Sequence, residues 1–139
     1  MSTLGIGIIG CGGITLQNHL PGLALCPDVR VAALCDSDPG TLQRASTATG
    51  CTVTTSDYHQ LLARDDVHAI IIATPNLLHF PIAMSAIAAY DALARAQDKP
   101  PLTARRAWYW WGYLNRADRD RLSDGLILAG VPDVMPASP

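Results

Sequence analysis

The hexapeptide Gly10-Cys11-Gly12-Gly13-Ile14-Thr15 lies between an apolar run and a helical pattern. Its spacing is G-x-G-x-x-small, with Thr15 where a third glycine is usual. The chemistry such a turn offers is capture of an anion. Gly10 permits the tight turn, and Gly12 lets the backbone approach a pyrophosphate. The helix that follows presents unpaired N–H groups and a partial positive charge. Thr15 must still let that helix pack closely on the strand. Taken alone, the hexapeptide is equally a strand-to-helix turn with no ligand.

A second residue gives the turn context. Asp36 stands 21 residues beyond Thr15, at the end of another apolar run. A carboxylate there can accept bonds from adenosine ribose hydroxyls. It also repels a 2′-phosphate, and Ser37 and Asp38 follow it rather than an arginine, which favours NAD over NADP. The plain alternative is a strand-end aspartate that caps the next helix. A third group, Thr74-Pro75-Asn76-Leu77-Leu78-His79, closes a third apolar run. Ligands of open α/β sheets bind beyond the carboxyl ends of the strands, where Asn76 and His79 can donate or accept hydrogen bonds. Pro75 and Asn76 are also ordinary turn residues, and His79 with Pro81 suits the start of a helix.

The elements that must position these groups alternate. Leu4 to Ile9, Val29 to Cys35 and Ala69 to Ala73 are near-continuous apolar runs, as strands buried on both faces of a parallel sheet require. Cys51 to Thr54 is β-branched and suits a short strand. Helical stretches lie between: Ile14 to Leu25, which Pro21-Gly22 should kink or shorten, then Gly40 to Thr49, then Tyr58 to Arg64. Asp38-Pro39 opens the second and Gly50 stops it; Ser56-Asp57 caps the third. The order β-α-β-α-β-α-β is that of a doubly wound, Rossmann-type parallel sheet.

Residues 4 to 89 together resemble the N-terminal domain of the Gfo/Idh/MocA oxidoreductases, the family of glucose–fructose oxidoreductase and inositol dehydrogenase. The stretches that carry the likeness are GIGIIGCGGIT, HLPGL, VAALCDSDP, YHQLLARDDVHAIIIATPNLLH and PIAMSAIAA. The resemblance implies an NAD(P)-binding Rossmann domain. It places Gly10, Cys11, Gly12, Gly13 and Ile14 at the pyrophosphate, and Asp36 and Ser37 at the adenosine ribose. Thr74, Pro75, Asn76 and His79 flank the nicotinamide half. It also implies reversible hydride transfer to or from a sugar or polyol.

The letters depart from the family after Ala89. Tyr90 replaces a glycine, and Asp91 to Gln97 reads as continuing helix. Asp98-Lys99-Pro100 echoes the family's Glu-Lys-Pro motif two residues late. Lys99, as the equivalent of the active lysine, and His79 are the candidate catalytic residues; the alternative for Lys99 is a solvated loop lysine. The chain is accordingly divided into a cofactor domain, 1–89, and an atypical tail, 90–139, which is irregular or partly ordered. Family members carry a second α/β domain that the remaining 50 residues do not resemble, as truncation or a frame shift would produce. A sheet ending at Ala69–Ala73 would expose an apolar edge, which Ala107 to Leu114 or a second copy of the chain could cover.

Composition limits the alternatives. The chain has 139 residues, 49% of them hydrophobic and 16% charged, which suits one packed domain and excludes wholesale disorder. Every acid is Asp, so chemistry needing Glu is excluded, and Lys99 is the one lysine. The net charge of −2 argues against a nucleic-acid or polybasic membrane binder. The aromatic tail, with Trp108, Trp110 and Trp111, carries seven bases against six acids, too little for a nucleic-acid surface. Apolar runs fall short of a ~18-residue membrane span. Cys11, Cys26, Cys35 and Cys51 lack metal-site spacing and read as reduced thiols. The expected compartment is the cytosol. The competing function is a non-catalytic nucleotide- or partner-binding module.

Overall fold

The computed structural model describes residues 3–97. The described residues divide into two units, 3–85 and 86–97. The first holds a four-stranded parallel sheet in the order β3-β2-β1-β4. Its strands are β1 (Leu4–Ile9), β2 (Val29–Cys35), β3 (Thr54–Thr55) and β4 (Ala69–Ile72). The helices are α1 (Leu20–Ala24), α2 (Pro39–Thr49), α3 (Tyr58–Leu62) and α4 (His79–Ala96). Helix α4 starts in the first unit and supplies the described part of the second.

Side-chain alternation along the strands feeds two cores. Ile6, Ile8 and Leu34 pack with Leu20 and Ala45 on the face that α1 and α2 cover. Ile9, Ala33 and Cys35 pack with Leu61 and Ile82 on the face of α3 and the start of α4. Ile8, Leu34 and Leu61 are wholly buried, each contributing about 1.5–3 kcal/mol of apolar burial. Gly7 has no side chain because Leu61 lies there; a β-carbon would come 2.6 Å from Leu61 Cδ2. The doubly wound α/β architecture expected from the apolar runs is therefore present.

Local chemistry sets the boundaries. The Asp38 carboxylate accepts from the Thr41 N–H at 2.6 Å and caps α2, with Pro39 in the first helical position. Gly50 ends α2 in the left-handed region, φ +70°, its N–H donating to the Ser46 carbonyl at 2.9 Å. Asp57 caps α3 by accepting from the His59 N–H at 2.9 Å. The helix after the glycine turn passes Pro21 by widening. Thr15–His19 forms a π-helical turn in which the Leu20 N–H reaches the Thr15 carbonyl. A wider turn upstream of proline relieves the clash between its ring and the preceding carbonyls. Two expected strands are shorter in the structure: β4 stops at Ile72, and the third strand is Thr54–Thr55 rather than Cys51–Thr54.

Helix α4 continues through Tyr90 to Ala96. With the 3-10 turn before it, Asn76–Ala96 spans 21 helical residues, and an 18-residue window within it has a mean hydropathy of 1.4, long and apolar enough by those measures to cross a membrane. Its alanines supply a length that counting strong apolar runs misses. Ile82, in the first turn of α4, is buried in the second core, while 11% of that window is buried. Lys99 and the proposed edge-covering segment 107–114 lie outside the described residues.

The four cysteines are free thiols. Burial, reinforced by the negative Asp36, pushes Cys11 up to about 12 and Cys35 up to about 11. The thiolate is the reactive form, and Cys26 is exposed. Brief iodoacetamide treatment of the folded chain at about pH 8 is therefore expected to alkylate Cys26 and spare Cys11 and Cys35. Peptide mass spectrometry reads the outcome, and early modification of Cys11 would contradict the packing.

Candidate functional site

The sheet order places β2 and β4 on either side of β1: the chain runs outward from β1 through β2 to β3, then crosses back to β4 on the other side. The crevice at such a switch point opens at the carboxyl ends of the strands. Gly10 follows β1 there, its N–H donating to the Cys35 carbonyl at 2.8 Å. Its φ is +95°, and a β-carbon on it would lie 2.6 Å from the Ala73 carbonyl group and 2.8 Å from the Thr74 nitrogen. The turn after β1 thus lies directly against the turn after β4. This contact brings together two of the three groups singled out in the sequence.

The glycines that follow face open space. A β-carbon on Gly12 or Gly13 would meet no atom within 4 Å. The Leu16 N–H donates to the Gly12 carbonyl at 3.0 Å, so helical bonding starts immediately. The first turn of a helix leaves its N–H groups without intrahelical partners, and here they border the open ground above the glycines. Ile14 lies beside them with its side chain half exposed. Thr15, in the third-glycine position, is completely buried and donates its hydroxyl to the Gly10 carbonyl at 2.6 Å. Motif reading asked of this residue only that it be small. The signal missed was its hydroxyl.

Asp36 joins the same loop. One carboxylate oxygen accepts from the Cys11 N–H at 2.7 Å, the other from the Asp38 N–H at 2.8 Å. Each carboxylate oxygen can accept more than one bond, so the group retains capacity for hydroxyl donors. Ser37 beside it is exposed. Cys11 serves this arrangement through its backbone. Its thiol points into the core and donates to the Cys35 carbonyl at 3.6 Å.

The turn after β4 carries the third group. Thr74 Oγ1 is buried without a hydrogen-bond partner. His79 Nε2 lies 2.8 Å from the Thr74 carbonyl oxygen. A carbonyl only accepts, so Nε2 is the donor of this bond. This bond makes His79 a tether of the turn. Pro75 precedes the 3-10 turn Asn76–Leu78, and Pro75 and Asn76 are exposed. Among the described residues no cluster of three metal-ligating side chains occurs. A cleft of about 550 Å³ lies elsewhere, between α1 and the end of α2, and includes neither the glycine turn, Asp36 nor the turn after β4.

The model of the oxidoreductase family GFO_IDH_MocA, NAD-binding Rossmann fold, matches residues 4–107. The match passes Ala89 and includes Lys99. A dTDP-3,4-didehydro-2,6-dideoxy-alpha-D-glucose 3-reductase of Streptomyces violaceoruber is 34% identical over 131 residues, 91% of this chain and 34% of the relative. The WlbA dehydrogenase of Bordetella pertussis, solved with NADH and UDP-GlcNAcA, superposes with a TM-score of 0.59 at 32% identity. The superposition covers 64% of this chain and 26% of that one. A 3-ketoreductase of Actinomadura kijaniata, solved with NADP and TDP-benzene, gives 0.59 at 30% identity over 63% of this chain and 27% of that one. The chain therefore spans about a quarter to a third of the length of these proteins.

Proposed function

This chain belongs to the Gfo/Idh/MocA oxidoreductase family, and on that premise we propose that its crevice holds a nicotinamide dinucleotide, NAD in preference to NADP. The observation that carries the preference is the Asp36 carboxylate, fixed at the end of β2 by the Cys11 and Asp38 N–H groups. A carboxylate accepts from ribose hydroxyls and repels a 2′-phosphate. The open faces of Gly12 and Gly13 fit a pyrophosphate at the helix start. The orphaned Thr74 hydroxyl, in the turn against Gly10, has bonding capacity for a polar group of the cofactor.

The cofactor supplies hydride transfer at the nicotinamide ring. The protein's part is to bind and orient it. Gly10 and Thr74 hold the two turns together, and His79 anchors the second by its bond to the Thr74 carbonyl. Cys11 contributes its N–H, which holds Asp36, and Ile14 an apolar flank. The reaction proposed for the intact enzyme is oxidation or reduction of a sugar or polyol carbon. This reading extends the sugar-reductase likeness to a chain much shorter than the relatives. Lys99, within the family match, is the proposed proton relay.

A second reading has its own observation. His79 Nε2 is engaged with backbone, which favours a structural role for it and a module that binds cofactor without turnover. Calorimetric titration of the 139-residue chain with NADH, then NADPH, tests the binding claim. Saturable binding with tighter NADH is the expected result; no binding by a folded chain would overturn it. Hydride transfer to a panel of sugars, polyols and their oxidised forms then separates the readings, because turnover excludes the binding-only module.

A further inference from the structure

The Thr15 hydroxyl and the Asp36 carboxylate hold opposite ends of one peptide group. The Gly10 carbonyl accepts from Thr15 Oγ1 at 2.6 Å, and the Cys11 N–H donates to Asp36 Oδ2 at 2.7 Å. That carbonyl and that N–H belong to the same amide, which is trans and planar, so they point in opposite directions. Rotating the plane breaks both bonds together. Accepting at its oxygen also polarises an amide and strengthens its N–H as a donor. Neither end has slack. Thr15 is wholly buried, so water cannot replace its hydroxyl, and Gly10 is wedged against Ala73 and Thr74.

We infer that Thr15 is a positioning residue for recognition of the adenosine ribose, acting through the Gly10–Cys11 amide on the Asp36 carboxylate. Its own side chain is fully enclosed by protein, so it acts on the ribose subsite only through the backbone. The inference rests on the dinucleotide reading of the crevice. It explains why a buried hydroxyl occupies a position where a glycine would suffice for packing. A glycine there lets the helix approach the strand but leaves the amide free to tilt. The threonine couples the phosphate turn to the ribose carboxylate, two subsites supplied by different strands.

The test compares the full 139-residue chain with Thr15→Val, which keeps the shape and loses the donor, and Thr15→Ser, which keeps the donor. Two readouts are taken: NMR hydrogen exchange at the Cys11 amide without cofactor, and titration with NADH and NADPH. In Thr15→Val, Cys11 exchange should speed about tenfold and NADH affinity fall about tenfold. NADPH affinity should fall less, so the preference for NADH narrows. Thr15→Ser should restore both values to within about threefold of the parent. A merely structural loss would weaken both cofactors equally, and an unchanged ratio overturns the inference. Unchanged Cys11 exchange in a folded Thr15→Val overturns it too. If the valine variant fails to fold, Asp36→Ala opens the other end of the clamp and must speed the same amide; no change there is equally fatal. A parent chain that binds neither cofactor refutes the dinucleotide reading instead, while the exchange data still decide whether the clamp exists.

Discussion

Gly10→Ala is expected to abolish measurable NADH binding. The cause is backbone against backbone. At φ +95° an L-residue is strained, and the added β-carbon would lie 2.6 Å from the Ala73 carbonyl carbon and oxygen. Neither is the end of a flexible side chain, so one turn must retreat from the other. Conformational strain of roughly 1–2 kcal/mol and overpacking of roughly 1–3 kcal/mol fall on the residue that joins the two turns. Loss of even ~3 kcal/mol at the site corresponds to a more than hundredfold weaker complex. Calorimetry with NADH checks this, with urea unfolding alongside to separate the site from the whole domain. Affinity within about threefold of the parent would show that the contact between the turns is dispensable. Gly12→Ala is the informative contrast. Its β-carbon meets no protein atom, so any loss of NADH affinity there reflects the ligand's own need for space.

The second large effect is expected at Asp36→Ala. The carboxylate accepts from two backbone N–H groups in the structure and, on the proposed reading, from ribose hydroxyls when cofactor is bound. Hydrogen bonds to a charged group contribute about 1.5–3 kcal/mol each, so NADH affinity should fall roughly ten- to hundredfold. NADPH affinity should fall less, because removing the negative charge also removes repulsion of the 2′-phosphate. The measured quantity is the ratio of the two dissociation constants. An unchanged ratio would detach Asp36 from the ribose site. Proportionate loss of both cofactors would leave Asp36 only as the fastener of the phosphate turn.

Much of this arrangement was legible in the residues. Leu4–Ile9 and Val29–Cys35 read as strands from apolar continuity and are strands over those limits. Asp38-Pro39 and Gly50 marked the ends of α2 because caps depend on side chains adjacent in the chain. The separation of Asp36 from the glycine turn matched the distance one β-α-β crossover imposes, and the carboxylate reaches the turn. Less legible was the helix after the turn. Pro21 signalled a disturbance but not its form, and the structure resolves it as the π-helical turn Thr15–His19. The length of α4 was legible too: Asp91 to Gln97 read as continuing helix, and α4 runs to Ala96 because its alanines sustain a helix well.

The sequence by itself determined the family, the alternation of strands and helices, and the positions of the glycine turn, the strand-end aspartate and the turn after β4. These are properties of neighbours along the chain, encoded by run length, caps and spacing. Only the tertiary structure decided what each side chain does. It buried the Cys11 thiol and turned its N–H to Asp36, enclosed the Thr15 hydroxyl on the Gly10 carbonyl, and bound His79 to the Thr74 carbonyl. The physical reason is direction. Where a side chain points depends on strand register and helical phase, and a single wide turn changes that phase for every residue beyond it. Such angles are settled when the sheet closes and its helices pack, so residue types and spacings specify the parts of the crevice but not their mutual bonding.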